Sequence, residues 1–373
     1  MSANRIGAII FSNMHEKTIG ELTAMRSCGS VPFGGRYRLI DFALSNMVNA
    51  GITAIGVITK SNYKSLMDHL RSGRDWDLSR KRSGLVIIPP YASAGSGMYR
   101  GRVEAMVTAR DFIQYETVDW FVLSDCNFVF NLDIEELAEK HIESGADITC
   151  CYQKMRLSGD GLVDTVTYDL NKDGAIKGVR LDPNTEGEYN CGLNTMFMSK
   201  KFLLELIDKT QGRGICDFEQ EILQQKVIGE LKINTYEVTG TALRIGSMRE
   251  YYAANMALLQ KRVRDELFNN HPVYTKVRDE MPASYGLTAE ISNTMVADGC
   301  RIEGSVSDSI LFRGVTVGKN AKVKGCILMQ GCTVGENADI TGLVCDKNTV
   351  ITEGRVLVGC AENPLFVPKN GVV

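Results

Sequence analysis

Few residues have an evident chemical capacity, and they are scattered along the chain. The four histidines are far apart and form no i, i+4 pair: His15, His69, His141 and His271. We therefore expect no metal centre built from histidines, and we expect the histidines to have surface or capping roles. Cys126 has no histidine near it in sequence to generate a thiolate, which favours a buried apolar role. Arg36 and Arg38 follow a Gly-Gly pair, where they form either a solvated turn or a local anion site.

Composition describes an ordinary globular chain. It has 373 residues, 44% of them hydrophobic, and 42 Lys plus Arg against 45 Asp plus Glu give a net charge of −3. Such a balance provides no general field for nucleic acid or an anionic membrane, so neither partner is expected. The eleven scattered cysteines contain no C-x-x-C pair and indicate reduced thiols. Without a signal-peptide pattern or a long apolar run, we expect a cytoplasmic protein.

The chain contains two types of sequence pattern, and these determine where the residues above are placed. Up to about residue 255, short apolar runs alternate with amphipathic stretches, the pattern of a mostly parallel sheet covered by helices. The runs that predict strands are Ile6 to Phe11, Ile52 to Thr59, Trp120 to Ser124 and Ile148 to Tyr152. Helices are predicted over Phe42 to Ala50 and Val103 to Ile113. We therefore assign residues 1–255 to one α/β domain.

The last part of the chain is repetitive. The segment Gly314 to Val323 recurs as Gly331 to Ile340, and a shorter copy follows at Lys347 to Ile351. Small or β-branched residues at six-residue steps, with Gly and Asn at the corners, predict a left-handed parallel β-helix over residues 291–373. The charged stretch from Arg262 to Gly286 contains two prolines, so residues 256–290 are predicted to be a linker.

The segment Val31-Pro-Phe-Gly-Gly-Arg-Tyr-Arg-Leu-Ile-Asp-Phe-Ala-Leu-Ser-Asn46 resembles bacterial glucose-1-phosphate adenylyltransferase, the ADP-glucose pyrophosphorylase family. Further similar blocks include Cys216 to Phe218 and Val296 to Gly304. The resemblance implies a Rossmann-like nucleotidyltransferase domain with a mostly parallel sheet, followed by the β-helix. It also implies chemistry on ATP and glucose 1-phosphate, which depends on positioning and on neutralising negative charge.

The phosphate-binding segment departs from this family. The family has a glycine-rich loop with a basic residue after the first strand, where backbone amides approach phosphates. Here that loop begins with Ser12 and Asn13, contains no glycine and carries the acidic Glu16. A family lysine a little further on is replaced in the segment Cys28-Gly-Ser-Val31, and we assign Cys28 to its position. Phosphates would therefore be poorly bound.

The metal positions depart as well. The family holds Mg²⁺ with two aspartates, and the first corresponds here to Asp125, Cys126 or Asn127, depending on where a one-residue insertion is placed. The second corresponds to Arg244, a cation that would repel the ion. We expect no metal and no cofactor in this chain, and Mg²⁺ only in an active partner subunit.

The sugar-phosphate positions follow the same trend. Asp182 replaces a family lysine, and Arg102 adds bulk and charge where the family has a small residue. The resemblance also places Asn194 and Asp217 in what would be a vestigial substrate pocket together with Ser12 and Asn13. Asp217 could equally be a helix N-cap.

One family feature is retained, because Arg38 matches an arginine associated with the anionic effector site. Arg26, Arg36 and Lys369 are candidates to join it. An anionic sugar phosphate is therefore a possible effector.

The whole pattern resembles the non-catalytic GlgD-type subunits that accompany an active partner in some bacteria. We therefore expect a regulatory, catalytically degenerate subunit in a tetramer with a catalytic homologue, acting in ADP-glucose and glycogen synthesis. The alternative is a sugar-phosphate nucleotidylyltransferase of low activity. An acyltransferase, a third class that uses left-handed β-helices, is disfavoured because no histidine follows Ile291.

Overall fold

The fold is seen in a computed structural model, which describes residues 5–90, 98–172, 174–224, 231–269 and 271–373. Tyr91, part of one block of the family resemblance, lies outside these ranges. The strands of the first domain are β1 (Ile6–Phe11), β2 (Pro32–Phe33), β3 (Tyr37–Arg38), β4 (Ala54–Ile58), β5 (Gly84–Ile88), β6 (Trp120–Asp125), β7 (Phe128–Phe130), β8 (Ile148–Leu157), β9 (Val166–Leu170), β10 (Ile176–Leu181), β11 (Gly187–Ser199), β12 (Ile233–Glu237) and β13 (Ala242–Arg244).

The helices that cover this sheet are short. They are α1 (Gly20–Thr23), α2 (Leu39–Asn49), α3 (Lys64–Leu70), α4 (Arg102–Thr108), α5 (Arg110–Tyr115), α6 (Ile134–Ser144), α7 (Lys200–Thr210), α8 (Met248–Ala257) and α9 (Lys261–Phe268). A single π-helical turn occupies Glu219–Gln224. In the described ranges, none of these helices is long and apolar enough to cross a bilayer.

The main sheet has the order β10-β9-β11-β6-β1-β4-β5, with β8 and β12 attached through β11. Strands β6, β1, β4 and β5 are parallel, whereas β11 pairs antiparallel with β6 and β8. Strand β1 is buried along its whole length because helices cover both faces of the sheet. Ile10 belongs to one hydrophobic core and Ile9 to the other, as the two-residue period of a strand requires.

The C-terminal part is the left-handed parallel β-helix expected from the repeats, built of three parallel sheets. The first sheet contains β14 (Ser284–Tyr285), β17 (Arg301–Ile302), β20 (Thr316–Val317), β23 (Thr333–Val334) and β26 (Val350–Ile351). The second contains β15 (Glu290–Ser292), β18 (Ser305–Ser307), β21 (Lys322–Lys324), β24 (Asp339–Thr341) and β27 (Val356–Val358). The third contains β16 (Met295–Val296), β19 (Ile310–Leu311), β22 (Ile327–Leu328), β25 (Leu343–Cys345) and β28 (Leu365–Val367).

Asparagines turn the corners of the coil. Asn320 and Asn337 adopt the left-handed backbone conformation, with φ of 56° and 57°, which asparagine tolerates better than most residues. Asn320 Nδ2 donates to Asn337 Oδ1 at 3.2 Å, so successive corners are hydrogen-bonded to each other. The small interior residues therefore stack in register from coil to coil.

Helix α8 joins the two parts of the molecule. The Tyr251 hydroxyl donates to Pro32 O at 2.7 Å, and Asn255 Oδ1 accepts from Gly34 N at 3.0 Å, both in the β2–β3 hairpin. The Tyr252 hydroxyl donates to Gly325 O of the β-helix at 2.7 Å. The segment predicted to be a linker contains α9, and the ladder of the β-helix already includes Ser284–Tyr285.

Two local expectations need correction. The stretch Val103 to Ile113 is two helices rather than one, because the chain turns at Ala109 between α4 and α5. The histidines predicted at the surface or at caps are largely internal, since His15, His69 and His141 are buried. Each of these three rings finds a side-chain hydrogen-bond partner, which offsets the cost of burying it.

Candidate functional site

A cleft of about 310 Å³ opens beside the carboxyl end of β6. In doubly wound sheets, ligands bind at this edge, between loops that follow neighbouring strands. Four residues singled out in the sequence line the cleft: Arg102, Asp182, Asn194 and Asp217. His15, Asp164 and Glu219 line it with them.

The loop after β1 is tied down by its own side chains. Ser12 Oγ donates to Ile58 O at 2.8 Å, and Asn13 Oδ1 accepts from Lys60 N at 3.0 Å. Asn13 Nδ2 also donates to Glu16, which burial gives a raised pKa. Ser12 and Asn13 therefore anchor the loop to the end of β4, and neither lines the cleft.

Asp125, the last residue of β6, is the candidate metal position that reaches the cleft network. Arg102 Nη2 donates to Asp125 Oδ2 at 2.8 Å, and Arg102 Nη1 donates to Oδ1. His15 Nε2 lies 2.7 Å from the same Oδ2. Burial would raise the pKa of Asp125, but Arg102 and His15 hold it below its usual value. The carboxylate is thus charged and already paired with cations.

His15 lies between two carboxylates. Its Nδ1 is 2.6 Å from Asp164 Oδ2, on the side opposite Asp125. Burial opposes a charge on the ring, but the hydrogen bonds and charges of Asp125 and Asp164 raise the pKa of His15 to about 9. The ring is therefore an imidazolium that donates from both nitrogens.

Arg244, at the second family metal position, is also engaged. Its Nη1 donates to both carboxylate oxygens of Glu250, at 2.8 Å each. Its Nη2 donates to the backbone carbonyls of Val163 and Asp164. The guanidinium therefore holds the backbone of the segment that carries Asp164 and braces it against α8.

Cys28, Cys126 and Asn127 lie behind the cleft. Both thiols are fully buried, and burial raises the pKa of each, so they are protonated. A side chain on Gly29 would come within 3.2 Å of Cys126 Sγ, which places this thiol against the short turn Cys28–Ser30. Asn127 Oδ1 accepts from Asn194 Nδ2 at 3.2 Å and so supports the cleft wall.

The sugar-phosphate positions have local roles as well. Asp182 is exposed, and its Oδ1 accepts from Thr165 N at 3.0 Å. Asp217 Oδ1 accepts from Gln220 N at 2.7 Å, which is the N-cap arrangement left open by the sequence. Their negative charges, beside Glu219, leave this side of the cleft unfavourable for a phosphate.

The cleft residues do not fit Mg²⁺. The ion needs near-octahedral oxygen ligands at about 2.0–2.1 Å. Both oxygens of Asp125 face N–H donors instead, and the second position is a guanidinium. Within the described ranges, no group of three or more His, Cys, Asp or Glu side chains is placed to hold a metal ion.

A second pocket lies between the β2–β3 hairpin and the β-helix. Its cationic lining residues are Arg36, Arg38, Lys276, Arg278, Arg313 and Lys347. Gly34 and Gly35, with φ of 59° and 81°, form the hairpin turn that brings Arg36 and Arg38 to the β-helix. The described lining includes no carboxylate, so the pocket is a concentrated positive field.

The charges in this pocket are poorly compensated. Burial, followed by the charges of Arg38 and Arg26, lowers the pKa of Lys347 to about 7. Burial also lowers the pKa of Arg38, to about 10, and that of Arg313. Arg313 is 7% exposed, and its Nε has no hydrogen-bond partner among the residues that the structure describes. A bound anion would relieve all of these penalties at once.

Two predicted effector residues are placed differently from Arg36 and Arg38. Arg26 is buried, and its Nη2 lies 2.7 and 2.8 Å from the two oxygens of Asp346, so Arg26 is already neutralised. Lys369 is exposed and does not line the pocket, although the next residue, Asn370, donates its backbone N–H to Lys347 O at 3.0 Å. The lysine of the β-helix that lines this pocket is Lys347.

Sequence reasoning missed residues in both sites. In the cleft it missed His15, Asp164 and Glu219; in the pocket it missed Lys276, Arg278, Arg313 and Lys347. The signal for His15 was its place in the loop after the first strand. The signal for Lys276 and Arg278 was a run of charge in the predicted linker.

Fold and cleft together define a nucleotidyltransferase-type α/β domain joined to a hexapeptide β-helix. Family models agree, because the nucleotidyl transferase family matches residues 19–168 and the GlmU-like C-terminal hexapeptide family matches residues 281–363. The glycogen biosynthesis protein GlgD of Bacillus subtilis is 36% identical over 99% of this chain and 97% of its own length.

Two further relatives extend the comparison. The GlgD protein of Geobacillus stearothermophilus is 34% identical over 86% of this chain and 83% of its own length. A glucose-1-phosphate adenylyltransferase of Pseudothermotoga lettingae is 31% identical over 86% of this chain and 76% of its own length. The chain therefore belongs to the glucose-1-phosphate adenylyltransferase family, on its GlgD side.

Proposed function

We propose that this chain is a regulatory, catalytically degenerate subunit that modulates a catalytic homologue in ADP-glucose and glycogen synthesis. The observation that carries the proposal is the pairing of Asp125 with Arg102 and His15, where a catalytic subunit would need a metal-binding carboxylate. The glycogen assignment is supported by the names of the two GlgD relatives.

Loss of catalysis is supported by four separate segments. The loop after β1 contains no glycine, Arg102 lines the cleft with a buried cation, Asp182 is acidic, and Arg244 is bound to Glu250. Phosphoryl-group chemistry depends on neutralising charge on the substrate, and the cations of this cleft are already paired with carboxylates of the protein. Substrate phosphates would have to compete with those internal pairs.

Retention of an effector site is supported by the second pocket, between the β2–β3 hairpin and the β-helix, which we call the basic pocket. Arg36 and Arg38 come from the first domain, and Arg313 and Lys347 come from the β-helix. An anionic sugar phosphate or inorganic phosphate would bridge the two parts and alter their contact. A partner subunit would pack against the same two domains. A change in the contact between these domains would therefore alter the partner's activity.

Assembly is supported by the last coil of the β-helix. Val356, Val358 and Val372 are 66%, 72% and 69% exposed at that end. Exposed apolar side chains and uncovered strand edges favour association. We propose a tetramer that contains the catalytic homologue, located in the cytoplasm, where free thiols such as the eleven found here are usual.

The test is an assay with ATP, Mg²⁺ and glucose 1-phosphate on this chain alone, on the catalytic homologue of the same organism alone, and on their mixture. The proposal expects no ADP-glucose from this chain and a changed rate or effector response in the mixture. Steady turnover by this chain alone would favour the low-activity enzyme instead.

A further inference from the structure

The cleft contains a chain of ion pairs that runs from Asp164 through His15, Asp125 and Arg102 to Glu219. Arg102 and His15 supply the nitrogen atoms of these pairs, and Asp125, Asp164 and Glu219 supply the carboxylates. Arg102 is 4% exposed and Asp125 is 5% exposed, so their pairing is shielded from water. Charges buried in this way persist only when they are paired with good geometry.

The network joins segments that are far apart in the chain. His15 belongs to the loop after β1, Arg102 begins α4, and Asp125 ends β6. Glu219 begins the π-helical turn, and Asp164 precedes β9. In a metal-dependent site, a divalent cation would draw such carboxylates together.

The planar guanidinium of Arg102 matches the geometry of the groups around it. Its Nε donates to Glu219 Oε1 at 2.9 Å, and its two terminal nitrogens donate to Asp125. The guanidinium also lies over the Phe11 ring, 5.1 Å from the centroid. A planar fork can contact two carboxylates and one aromatic ring at once, which a lysine ammonium does not reproduce.

We propose that Arg102 and His15 substitute for a divalent cation at Asp125, so that the cleft is held together without metal. The guanidinium of Arg102 brings a fixed positive charge to Asp125, and the ring of His15 contacts the same carboxylate. They occupy the carboxylate oxygens that a divalent cation would bind. Arg102 is consequently the residue that excludes Mg²⁺ and Mn²⁺ from this cleft.

Removing Arg102 should therefore create a metal site. In Arg102→Ala, Asp125 and Glu219 face the space left by the guanidinium, with no cation between them. We expect this variant to melt below the wild type, and to recover part of the loss in millimolar MnCl₂ or MgCl₂. Mn²⁺ binding, measured from the electron paramagnetic resonance signal of the free ion, should tighten by roughly tenfold or more over wild type.

Three controls identify the site. Arg102→Ala/Asp125→Asn should show no response to metal, because the first ligand is gone. Arg110→Ala, which removes an exposed arginine paired with Asp208, should behave like wild type. Asp125→Asn alone should lower the melting temperature, with or without metal, because it leaves Arg102 and His15 without their shared counter-ion.

Several results would overturn the proposal. One is tight Mn²⁺ binding by the wild type that Asp125→Asn abolishes. Another is Arg102→Ala that folds and shows no gain in metal binding. Arg102→Ala could fail to fold both with and without added metal. In that case, a melting temperature of Asp125→Asn equal to that of the wild type would refute the proposal. These readouts are independent of whether the chain regulates a partner, so failure here and failure of the proposed function are separable.

Discussion

Arg26 and Asp346 form a buried ion pair although they are 320 positions apart in the sequence. One guanidinium nitrogen of Arg26 lies 2.7 Å from Asp346 Oδ1 and 2.8 Å from Oδ2, and the side chains are 3% and 4% exposed. Lys347 N also donates to this carboxylate, at 2.6 Å. The pair thus joins the nucleotidyltransferase-type domain to the β-helix, immediately behind the basic pocket.

Breaking the Arg26–Asp346 ion pair should lower the free energy of unfolding of the protein. Arg26→Met leaves a buried carboxylate without its cation, and we expect a loss of about 3–5 kcal/mol in the free energy of unfolding. Urea denaturation measures it. The matched control is Arg5→Ala, whose exposed pair with Asp119 should be worth about 0–1 kcal/mol. The double change Arg26→Met/Asp346→Asn should recover part of the loss. A single-variant stability within the range of the control would show that the pair does not hold the domains together.

The basic pocket should bind anions through residues of both domains. Arg38→Ala and Arg313→Ala each remove a charged donor, which should weaken binding of a sugar bisphosphate by roughly 10- to 150-fold. Isothermal titration calorimetry measures it. Lys322→Ala, which removes an exposed lysine of the same β-helix outside this pocket, is the control and should bind normally. Equal affinities of all three variants and the wild type would show that the anion does not bind in this pocket.

The pocket should also show a defined pH dependence. The pKa of Lys347 is lowered to about 7 in the free protein, and a bound anion raises it. The bound state therefore holds more protons above pH 7, so affinity should be level below about pH 7 and fall as the pH rises through and above it. Sulfate is a suitable probe because it does not itself titrate there. Lys347→Met should bind more weakly and lose this slope, whereas a slope unchanged in Lys347→Met would assign the dependence to another group.

The expected assembly can be tested through the exposed valines of the last coil. Val356→Glu/Val358→Glu introduces like charges on a surface that already faces solvent, so the fold should be kept. If this end contacts a partner, the variant should lose association with the catalytic homologue in light scattering. A complex of unchanged mass would place the interface elsewhere.

The fold followed from sequence to a large extent, because its signals are local. The apolar run Ile6 to Phe11 predicted a buried strand that β1 matches residue for residue. The repeat at Gly314 and Gly331 predicted the coils. The break at Ala109 was missed because the apolar spacing is the same for one helix and for two short consecutive helices.

The sites were predicted less completely, for a physical reason. Sequence patterns carried no signal that His15 would meet Asp125, since 110 positions separate them. Arg26 was a candidate to join the effector site, but in the structure its side chain pairs with Asp346 of the β-helix. Long-range ion pairs decide which charges are free to bind a ligand, and they depend on tertiary packing rather than on local pattern.

Regulation without catalysis can be measured as ADP-glucose formation by the mixed complex across a range of effector concentrations. We expect no product from this chain alone. The rate or effector response of the mixture should differ from that of the catalytic homologue by roughly 5- to 150-fold. Arg38→Ala should still assemble and should reduce that difference. A mixed complex with the unmodified kinetics of the homologue at every effector concentration would contradict the regulatory role, and turnover by this chain alone would contradict its degeneracy.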